Sequence, residues 1–366
     1  MAKYPGSERE RRIRAEDLQE VVTAIFRSCG MPPDPAALLA HTLVLADLRG
    51  VHSHGVLRVP DYVAKLTKEG VDPAGVPRVV QDSGAAIVID GGNSMGQIGG
   101  TFAMEKAIER ARDINVAVAA VRGSNHCGAM DYYAMMALPH DMIGIAMTNA
   151  LPTMAPWGST EKILGINPIA VAIPAGHEDP IVLDIAFAAT AHGKIRVYHQ
   201  KGLPIPEGWA FDRDGNPTTD TAKALEGLLA PIGGYKGTGL ALITGILSTL
   251  LSGAAFGTEL GNMVDGPKPG ADGHLFMAIR VGAFEKIERF KARVDDIVRQ
   301  IKMGRPAPGV TQIYPPGGLE AEFERRYRAE GIPLNDATLN DILTIARARG
   351  IQATPIETLL QNPVAI

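Results

Sequence analysis

Apolar positions recur every three to four residues near the start of the chain, and this spacing predicts helices. One face of the first helix is formed by five apolar residues: Leu18, Val21, Val22, Ile25 and Phe26. Gly30 is expected to end that helix. Asp34 followed by Pro35 predicts the N-cap and first turn of a second helix, which should end at Gly50. A third helix is expected to begin at Pro60.

The middle of the chain has short apolar runs separated by Gly, Pro and Asn, a texture that predicts strands. Six strands are expected, at residues 85–90, 116–121, 143–148, 169–173, 181–186 and 274–281. Helical patterns occur at residues 101–112, and again in the C-terminal part at 320–329 and 336–349. Strands with interspersed helices indicate an α/β or α+β fold. We predict a helical domain from residues 1–80 with 290–366 and a sheet domain from residues 81–289, and the sheet domain is a candidate holder of a cofactor or a substrate.

Composition and charge narrow the class of protein. A net charge of −4 and a pI near 6.2 disfavour nucleic acid as a partner. Two cysteines in 366 residues cannot form a disulfide framework, which fits a reducing compartment, and we expect a cytoplasmic protein. The first seventeen residues are charged and lack an apolar segment, so no secretory signal is expected.

One uncharged stretch, residues 237–258, is long enough to cross a bilayer. It is rich in Gly, Ser and Thr, which insert weakly, so we expect a buried helix and no membrane association.

Common catalytic motifs are absent. Asp90 to Gly96 contains three glycines, but not at the G-x-G-x-x-G spacing, and neither Lys194 nor Lys236 completes a P-loop. The sequence also lacks G-x-S-x-G and H-E-x-x-H. These absences disfavour a standard Rossmann enzyme, a P-loop NTPase and an α/β-hydrolase.

The segment His52-Ser53-His54-Gly55 with Arg58 is the densest polar motif. In a helical turn, His54 and Arg58 would share a face and present a proton donor beside a guanidinium that can hold a carboxylate. Ser53 is placed to orient the imidazole. A solvated helix cap is the alternative, and a His-x-His metal site lacks a nearby acidic ligand.

Two further segments carry polar groups at predicted strand ends. His126, within Ser124-Asn125-His126-Cys127-Gly128, is a second imidazole candidate or a structural histidine, whereas Cys127 is expected to be a packing residue. Asp184 lies in an apolar strand and therefore needs a specific partner, and the candidates are a catalytic histidine, a ribose hydroxyl and a structural cation.

A glycine-rich turn precedes the uncharged stretch. Gly233 to Gly239 includes Lys236 and leads into a predicted helix, an arrangement that favours a pyrophosphate site. A flexible surface turn is the alternative.

Taken together and in this order, these segments resemble the type 2 malate/L-lactate dehydrogenase family. The matching stretches are LRGVHSHGVLRVPDYV from Leu48, SNHCG from Ser124, MTNALPTMAPWG from Met147, LGINPIAVAIP from Leu164, LDIAFAATAHGKI from Leu183, KGLPIPEGWAFDRDGNPTTD from Lys201, LAPIGGYKGTGLAL from Leu229 and EGIPL from Glu330. They cover nearly the whole chain. The resemblance implies a non-Rossmann nicotinamide-binding domain with a mixed, largely antiparallel sheet, and a helical domain built from both chain ends. It also implies a homodimer with sites near the subunit interface.

The resemblance assigns roles residue by residue. It implies His54 as proton donor, Ser53 as its relay partner, His126 as the acid/base of some members, and Arg58 and Thr148 as substrate contacts. Cofactor contacts are implied for the following residues: Ser124, Asn125, Gly128, Asp184, Ile185, Ala186, Lys236 and Gly237. Asp184 is a catalytic candidate as well, and we expect no metal.

This sequence departs from the family pattern in two places. Thr148-Asn149-Ala150 lacks a hydroxyl found in the family, and Phe187-Ala188 replaces a small polar pair. Both departures leave the substrate and the choice between NAD and NADP open.

The sequence thus predicts an NAD- or NADP-dependent oxidoreductase that interconverts a small 2-oxo acid and its L-2-hydroxy acid. Three alternatives remain: a reductase of cyclic 2-imino acids, a metallohydrolase using His52, His54 and His126, and a catalytically silent binding protein.

Overall fold

The structure, a computed structural model, describes residues 10–200, 202–262 and 268–361. Its helices are α1 Ala15–Ser28, α2 Pro33–Leu48, α3 Val59–Thr67, α4 Gly96–Ile114, α5 Asp131–Met135, α6 His192–Gln200, α7 Thr221–Glu226, α8 Tyr235–Thr249, α9 Ile287–Lys302, α10 Gly318–Glu330, α11 Asp336–Ala348 and α12 Thr354–Gln361. Its strands are β1 Arg11–Ile13, β2 Arg78–Ser83, β3 Ala86–Asp90, β4 Val116–Ser124, β5 Met142–Thr148, β6 Pro152–Met154, β7 Leu164–Gly165, β8 Ile169–Ile173, β9 Ile181–Ile185, β10 Ala210–Phe211, β11 Pro217–Thr218, β12 Leu228–Leu229, β13 Asp272–Arg280 and β14 Ile332–Leu334.

The largest sheet has seven strands in the order β2-β3-β4-β13-β5-β8-β9. Strands β3 and β4 are parallel and are joined through α4, while every other neighbouring pair in this sheet is antiparallel. The structure therefore confirms a mixed α/β fold with a mixed sheet. The one strand of this sheet that the sequence did not predict is β2, which is exposed along its whole length and shows no apolar alternation.

The strand order decides where the polar strand ends meet. Strands β4 and β5 both run antiparallel to β13 between them, and β5 and β9 both run antiparallel to β8. Strands β3, β4, β5 and β9 consequently run in one direction, and their carboxyl ends lie at one edge of the sheet. This edge carries the segments after Asp90, Ser124, Thr148 and Ile185.

One apolar cluster joins the two ends of the chain. Its buried residues come from α1, α2 and α3 on the N-terminal side and from α10, α11 and α12 on the C-terminal side. Strand β1 pairs with β14, with Arg11 opposite Leu334. The buried face of α1 is the predicted one. The predicted N-cap of α2 was wrong: Pro32 is the N-cap and the helix begins at Pro33, because Pro33 supplies the first-turn proline two residues earlier than expected.

Two further clusters lie around the sheets. The second cluster packs α4 and α5 against the seven-stranded sheet, and the third lies around α6, α7, α8 and the small sheet β11-β10-β12. Helix α9 crosses the predicted boundary at residue 290. The Asp295 carboxylate on α9 accepts hydrogen bonds from the backbone N–H groups of Gly176, His177 and Glu178, which connect β8 to β9.

Helix α8 does not match the prediction of a buried helix. One side is buried through small residues such as Gly237, Ala241 and Gly245, whereas Leu240 and Ile243 on the other side are about half exposed, at 51% and 56%. Small residues let this side of the helix approach β13 and β5 closely, and the large apolar residues point away. Within the described parts of the chain, no helix is both long and apolar enough to span a membrane.

Candidate active site

The segment between α2 and α3 forms two short 3-10 turns, His52–His54 and Val56–Arg58. The prediction that His54 and Arg58 share one helical turn is wrong, because Gly55 between the two 3-10 turns is extended, with φ −88° and ψ −153°. The buried carboxylate of Asp47 accounts for the break. It accepts the Val56 backbone N–H at 2.8 Å and contacts Nδ1 of His52 at 2.7 Å.

A glycine is required at position 55, because the Asp47 carboxylate leaves no room there for a side chain. A Cβ atom built on Gly55 would lie 2.1 Å from Oδ1 of Asp47, well inside contact distance. Any side chain at this position would displace the carboxylate that fixes both turns. The glycine thus allows His54 and Arg58 to face the same side without a continuous helix.

Arg58 is held at the cavity by two bonds. Its Nε donates to the Ser53 carbonyl at 2.8 Å, and its Nη1 donates to Asp61 at 3.2 Å. Among the described residues, these partners leave Nη2 available for an anionic ligand. The Ser53 hydroxyl lies 3.0 Å from Nδ1 of His54. Burial and the nearby charge of Arg58 lower the pKa of His54 to about 4, so its imidazole is neutral at pH 7.

His126 follows β4 and stacks on His54, with ring centroids 5.7 Å apart and an interplanar angle of 12°. Its Nδ1 is bonded to the hydroxyl of Tyr62 at 2.7 Å. Burial, followed by electrostatic repulsion from Arg58 and from any protonated form of His54, lowers the pKa of His126 well below its usual value. The two imidazoles are thus neutral, parallel and adjacent to a guanidinium.

These groups line a cavity of about 570 Å³ at the sheet edge where β4, β5 and β9 end. Its polar lining includes both imidazoles, Arg58 and the following residues: Ser53, Asp131, Thr148, Asn149, Asp184, His192 and Glu320. Gly128, Ile185 and Ala186 also line it. The structure therefore brings together nine of the thirteen predicted site residues: Ser53, His54, Arg58, His126, Gly128, Thr148, Asp184, Ile185 and Ala186.

Asp184 contacts backbone groups at the start of α5. Its Oδ2 accepts the N–H groups of Met130 and Asp131, each at 2.9 Å. The side chain is surrounded by protein atoms but is exposed to solvent through the cavity. Burial and the charge of Asp131 raise the pKa of Asp184 above its ordinary value. In the described residues neither imidazole bonds to Asp184, so its position suits a ligand contact better than the orientation of a histidine.

Four predicted cofactor residues lie outside the cavity lining. Ser124 is buried and bonds to His274, and Asn125 is buried with its amide committed to Asn93, Ser94 and Gly270. Lys236 is exposed at the start of α8, and Gly237 beside it packs on Ile232. Ser124 and Asn125 therefore support the site from behind.

Sequence reasoning missed several residues of the site. The sequence pattern does not indicate a role for Tyr62 or for Gln97, which donates to the Tyr62 hydroxyl at 3.0 Å. His274 on β13 bonds to Thr148 at 2.7 Å and to Ser124 at 2.8 Å, and burial lowers its pKa to about 4. The sequence offered one usable signal, since His274 opens an apolar strand and, like Asp184, needs partners there.

The third histidine of the metal hypothesis is placed elsewhere. His52 bonds to Asp47 and stacks on Tyr327, with centroids 6.3 Å apart, and it does not line the cavity. Across the described ranges, no three His, Cys, Asp or Glu side chains are arranged to hold a metal ion. Burial raises the pKa of Cys127 to about 12, which makes it a poor nucleophile.

The arrangement can perform a specific kind of chemistry. A guanidinium beside two imidazoles can hold a carboxylate and exchange a proton with an oxygen on the neighbouring carbon. The remaining volume of the cavity, which extends to Asp184 and His192, is available for a second ligand.

Comparisons with known proteins agree with this reading. A family model described as malate/L-lactate dehydrogenase matches residues 13–343. The L-sulfolactate dehydrogenase of Methanocaldococcus jannaschii is 40% identical over 339 residues, which cover 93% of this chain and 97% of the relative. Its solved structure has a TM-score of 0.88 at 38% identity and covers 96% of this chain and 100% of that chain. The malate dehydrogenase of Pyrococcus horikoshii is 37% identical over 352 residues, which cover 93% of this chain and 96% of that protein. The ureidoglycolate dehydrogenase (NAD(+)) of Escherichia coli strain K12 is 32% identical over 355 residues, which cover 97% of this chain and 99% of that protein. The chain belongs to the malate/L-lactate dehydrogenase family.

Proposed function

We propose that this protein transfers a hydride between a bound nicotinamide and a small 2-oxo acid or its L-2-hydroxy acid. The observation that carries the proposal is the stacked pair of His54 and His126 beside Arg58 in one cavity. The relatives named as malate, sulfolactate and ureidoglycolate dehydrogenases support the same reaction class.

Each residue has a distinct role in the proposal. Arg58 binds the substrate carboxylate through the part of its guanidinium that faces the cavity, and this fixes which side of the carbonyl meets the cofactor. One of the two imidazoles, His54 or His126, gives a proton to the oxygen as the alcohol forms and takes it back in the reverse reaction. Ser53 orients His54 through its hydroxyl, and Thr148 forms part of the pocket wall that contacts the substrate.

The residues of the cavity wall fit a nicotinamide. The amide nitrogen of Asn149 is buried and has no hydrogen-bond partner among the described residues, which suits the carboxamide oxygen of that ring. Gly128 has a positive φ of 77° and keeps the wall free of a side chain, and Asp184, Ile185 and Ala186 extend it. When bound, the cofactor supplies or accepts the hydride.

We propose a cofactor site that differs from the Rossmann arrangement. The sheet contains a single parallel pair, β3 and β4, and the turn between β3 and α4 has the wrong glycine spacing for G-x-G-x-x-G. The cofactor would be NAD or NADP. We assign the helical cluster built from both chain ends to the substrate side, as a domain of residues 1–80 and 290–366, and residues 81–289 to the cofactor side.

We further propose a homodimer that buries the exposed apolar side of α8. Leu240, Leu242 and Ile243 are 42–56% exposed, and a patch of this kind on one helix typically marks an interface. Lys236 precedes this side, so a second copy would bring the lysine and the turn at Gly237 into a buried setting. Light scattering on Ile243→Glu should show monomers, while Val76→Glu, at a more exposed apolar site elsewhere (74% against 56%), should leave dimers. Monomeric wild-type protein would refute this part.

A spectrophotometric screen tests the reaction. NADH and NADPH are each paired with pyruvate, oxaloacetate, 2-oxoglutarate and a cyclic 2-imino acid, and the reverse direction is run with L-hydroxy acids. Oxidation of one cofactor by an open-chain oxo acid supports the proposal and identifies the cofactor. Turnover of the cyclic imine alone would favour the imino acid reductase, an activity named for another relative. Absence of turnover and of nicotinamide binding would refute it.

A further inference from the structure

A buried chain of three side chains ends at the wall of the cavity. Gln97, the second residue of α4, is fully buried, and its Nε2 donates to the hydroxyl of Tyr62 on α3 at 3.0 Å. Tyr62 is 1% exposed, and its hydroxyl lies 2.7 Å from Nδ1 of His126. A residue of α4 is thus linked through a residue of α3 to Nδ1 of His126.

The direction of these hydrogen bonds follows from the donors available. The amide nitrogen of Gln97 can only donate, so the oxygen of Tyr62 accepts that bond. The single hydroxyl proton of Tyr62 is then free to point at Nδ1 of His126. A ring nitrogen that accepts a hydrogen bond carries no proton, so a neutral His126 must carry its proton on Nε2.

We propose that Gln97 is a positioning residue that acts through Tyr62 to hold His126 in its Nε2–H tautomer, with an N–H donor offered to a carbonyl oxygen in the cavity. The assignment of a carbonyl ligand rests on the function proposed above, whereas the tautomer does not. With the opposite tautomer, Nε2 would present a lone pair to that oxygen and repel it.

The amide of Gln97 has no other described bond. Its Oε1 is buried and lacks a partner among the described residues. An unsatisfied buried acceptor costs stability, typically about 1–3 kcal/mol, so packing alone would favour an apolar side chain of similar length. The single bond to Tyr62 is therefore the feature that accounts for a glutamine at this position.

The surroundings of the chain limit other proton arrangements. The ionisable groups close to His126 are His54 and Arg58 before α3, Tyr62 on α3, and His274 on β13. None of them is bonded to Nδ1 except Tyr62. Burial, opposed in part by the bond from Gln97, raises the pKa of Tyr62 above its ordinary value, so the phenol keeps its proton at neutral pH.

The test reads the tautomer directly in the free protein by 15N NMR with ring-labelled histidine. His126→Gln identifies the His126 signals by their loss. In the wild type, Nδ1 should give the shift of an unprotonated ring nitrogen and Nε2 that of a protonated one. In Gln97→Met, Tyr62 can turn and accept, so the proton should shift in part to Nδ1, and kcat/KM should fall by the same fraction. Gln81→Met, at an exposed glutamine of β2, is the matched control and should change neither.

Stability separates positioning from a structural role. Gln97→Met should unfold at or above the wild-type temperature, because it removes an unsatisfied acceptor, while the tautomer changes. A protonated Nδ1 in the wild type, or an unchanged tautomer in Gln97→Met, would overturn the proposal. If Gln97→Met does not fold, the wild-type spectrum alone decides. Because no substrate or cofactor is present, this result stands apart from the outcome of the nicotinamide screen.

Discussion

The Arg49–Asp131 ion pair offers a sharp test of how the helical cluster is joined to the sheet. Arg49, at the end of α2, donates from Nε to Asp131 on α5 at 2.8 Å, and both side chains are about 95% buried. A second bond from Nη1 reaches Glu324 on α10 at 3.2 Å. Replacing Arg49 by Met keeps the volume of the side chain and removes its charge.

The expected loss follows from what Arg49→Met leaves behind. Asp131 would be a buried carboxylate without a cation, next to Asp184, and breaking such a pair costs about 3–5 kcal/mol. The loss of the Arg49 bond to Glu324 adds little to this cost, because Glu324 keeps its ion pair with Arg328. With an unfolding entropy of roughly 2.1 cal/mol/K per residue, this cost lowers the Tm of a 366-residue chain by about 4–7 °C.

The assay is equilibrium unfolding in urea together with calorimetry, at equal protein concentrations because association shifts the apparent stability. Arg325→Met is the matched control. It breaks an exposed pair with Asp179 and should cost less than about 1 kcal/mol. The double variant Arg49→Met/Asp131→Leu removes both buried charges and should recover most of the loss. A double variant as unstable as Arg49→Met would refute the reasoning, since the uncompensated carboxylate would not be the cause.

Three more predictions concern the site. Arg58→Lys loses the forked guanidinium, so it should raise KM for the oxo acid by about 10- to 100-fold with little change in cofactor Kd. The exposed control Arg305→Lys should behave as wild type. An unchanged KM in Arg58→Lys would contradict the assigned carboxylate contact. The ring signals of His54, identified by their loss in His54→Gln, should titrate near pH 4 in NMR, and titration near pH 6.5 would be inconsistent with the burial described. Folding lowers the pKa of His274 from 6.5 to about 4. Between these values the unfolded chain binds more protons than the folded protein. The free energy of unfolding should therefore fall by on the order of 3 kcal/mol as the pH drops from 6.5 toward 4. His274→Gln should show a correspondingly shallower acid loss, and an identical pH dependence of its unfolding free energy would exclude this group as the source.

The sequence predicted the elements whose burial follows a regular period. The face of α1 repeats with helical spacing, and the central strands of the sheet are apolar runs bounded by turn residues. It failed where long-range contacts decide the outcome. Strand β2 is exposed and polar and is held in place by pairing with β3, which no local pattern reveals. The exposed side of α8 was also missed, because an uncharged sequence does not indicate which side of a helix is covered.

For the site, residue types were easier to predict than their partners. His54 and Arg58 lie in the densest polar motif of the chain and His126 in a polar segment after a strand, and they do meet in one cavity. The break at Gly55 depends on Asp47, eight residues earlier, and the state of His126 depends on Tyr62, which is 64 residues away in the chain. Such pairings are set by the packing of whole elements, so they are visible only once the fold is known.

The joining of the two chain ends also constrains how the protein can fold during synthesis. Strand β1 has its partner β14 more than 300 residues later, and the buried side of α1 is covered in part by α11 and α12. At about 5–20 residues per second, the ribosome needs roughly 15–65 s to make the intervening chain. During that time α2 can already pack against α1, but the part of α1 that α11 and α12 cover stays exposed. The sheet, whose strands lie between residues 78 and 280, can be completed first. The helical cluster is therefore the last part to close, and the slow step of folding should depend on the arrival of the C-terminal helices.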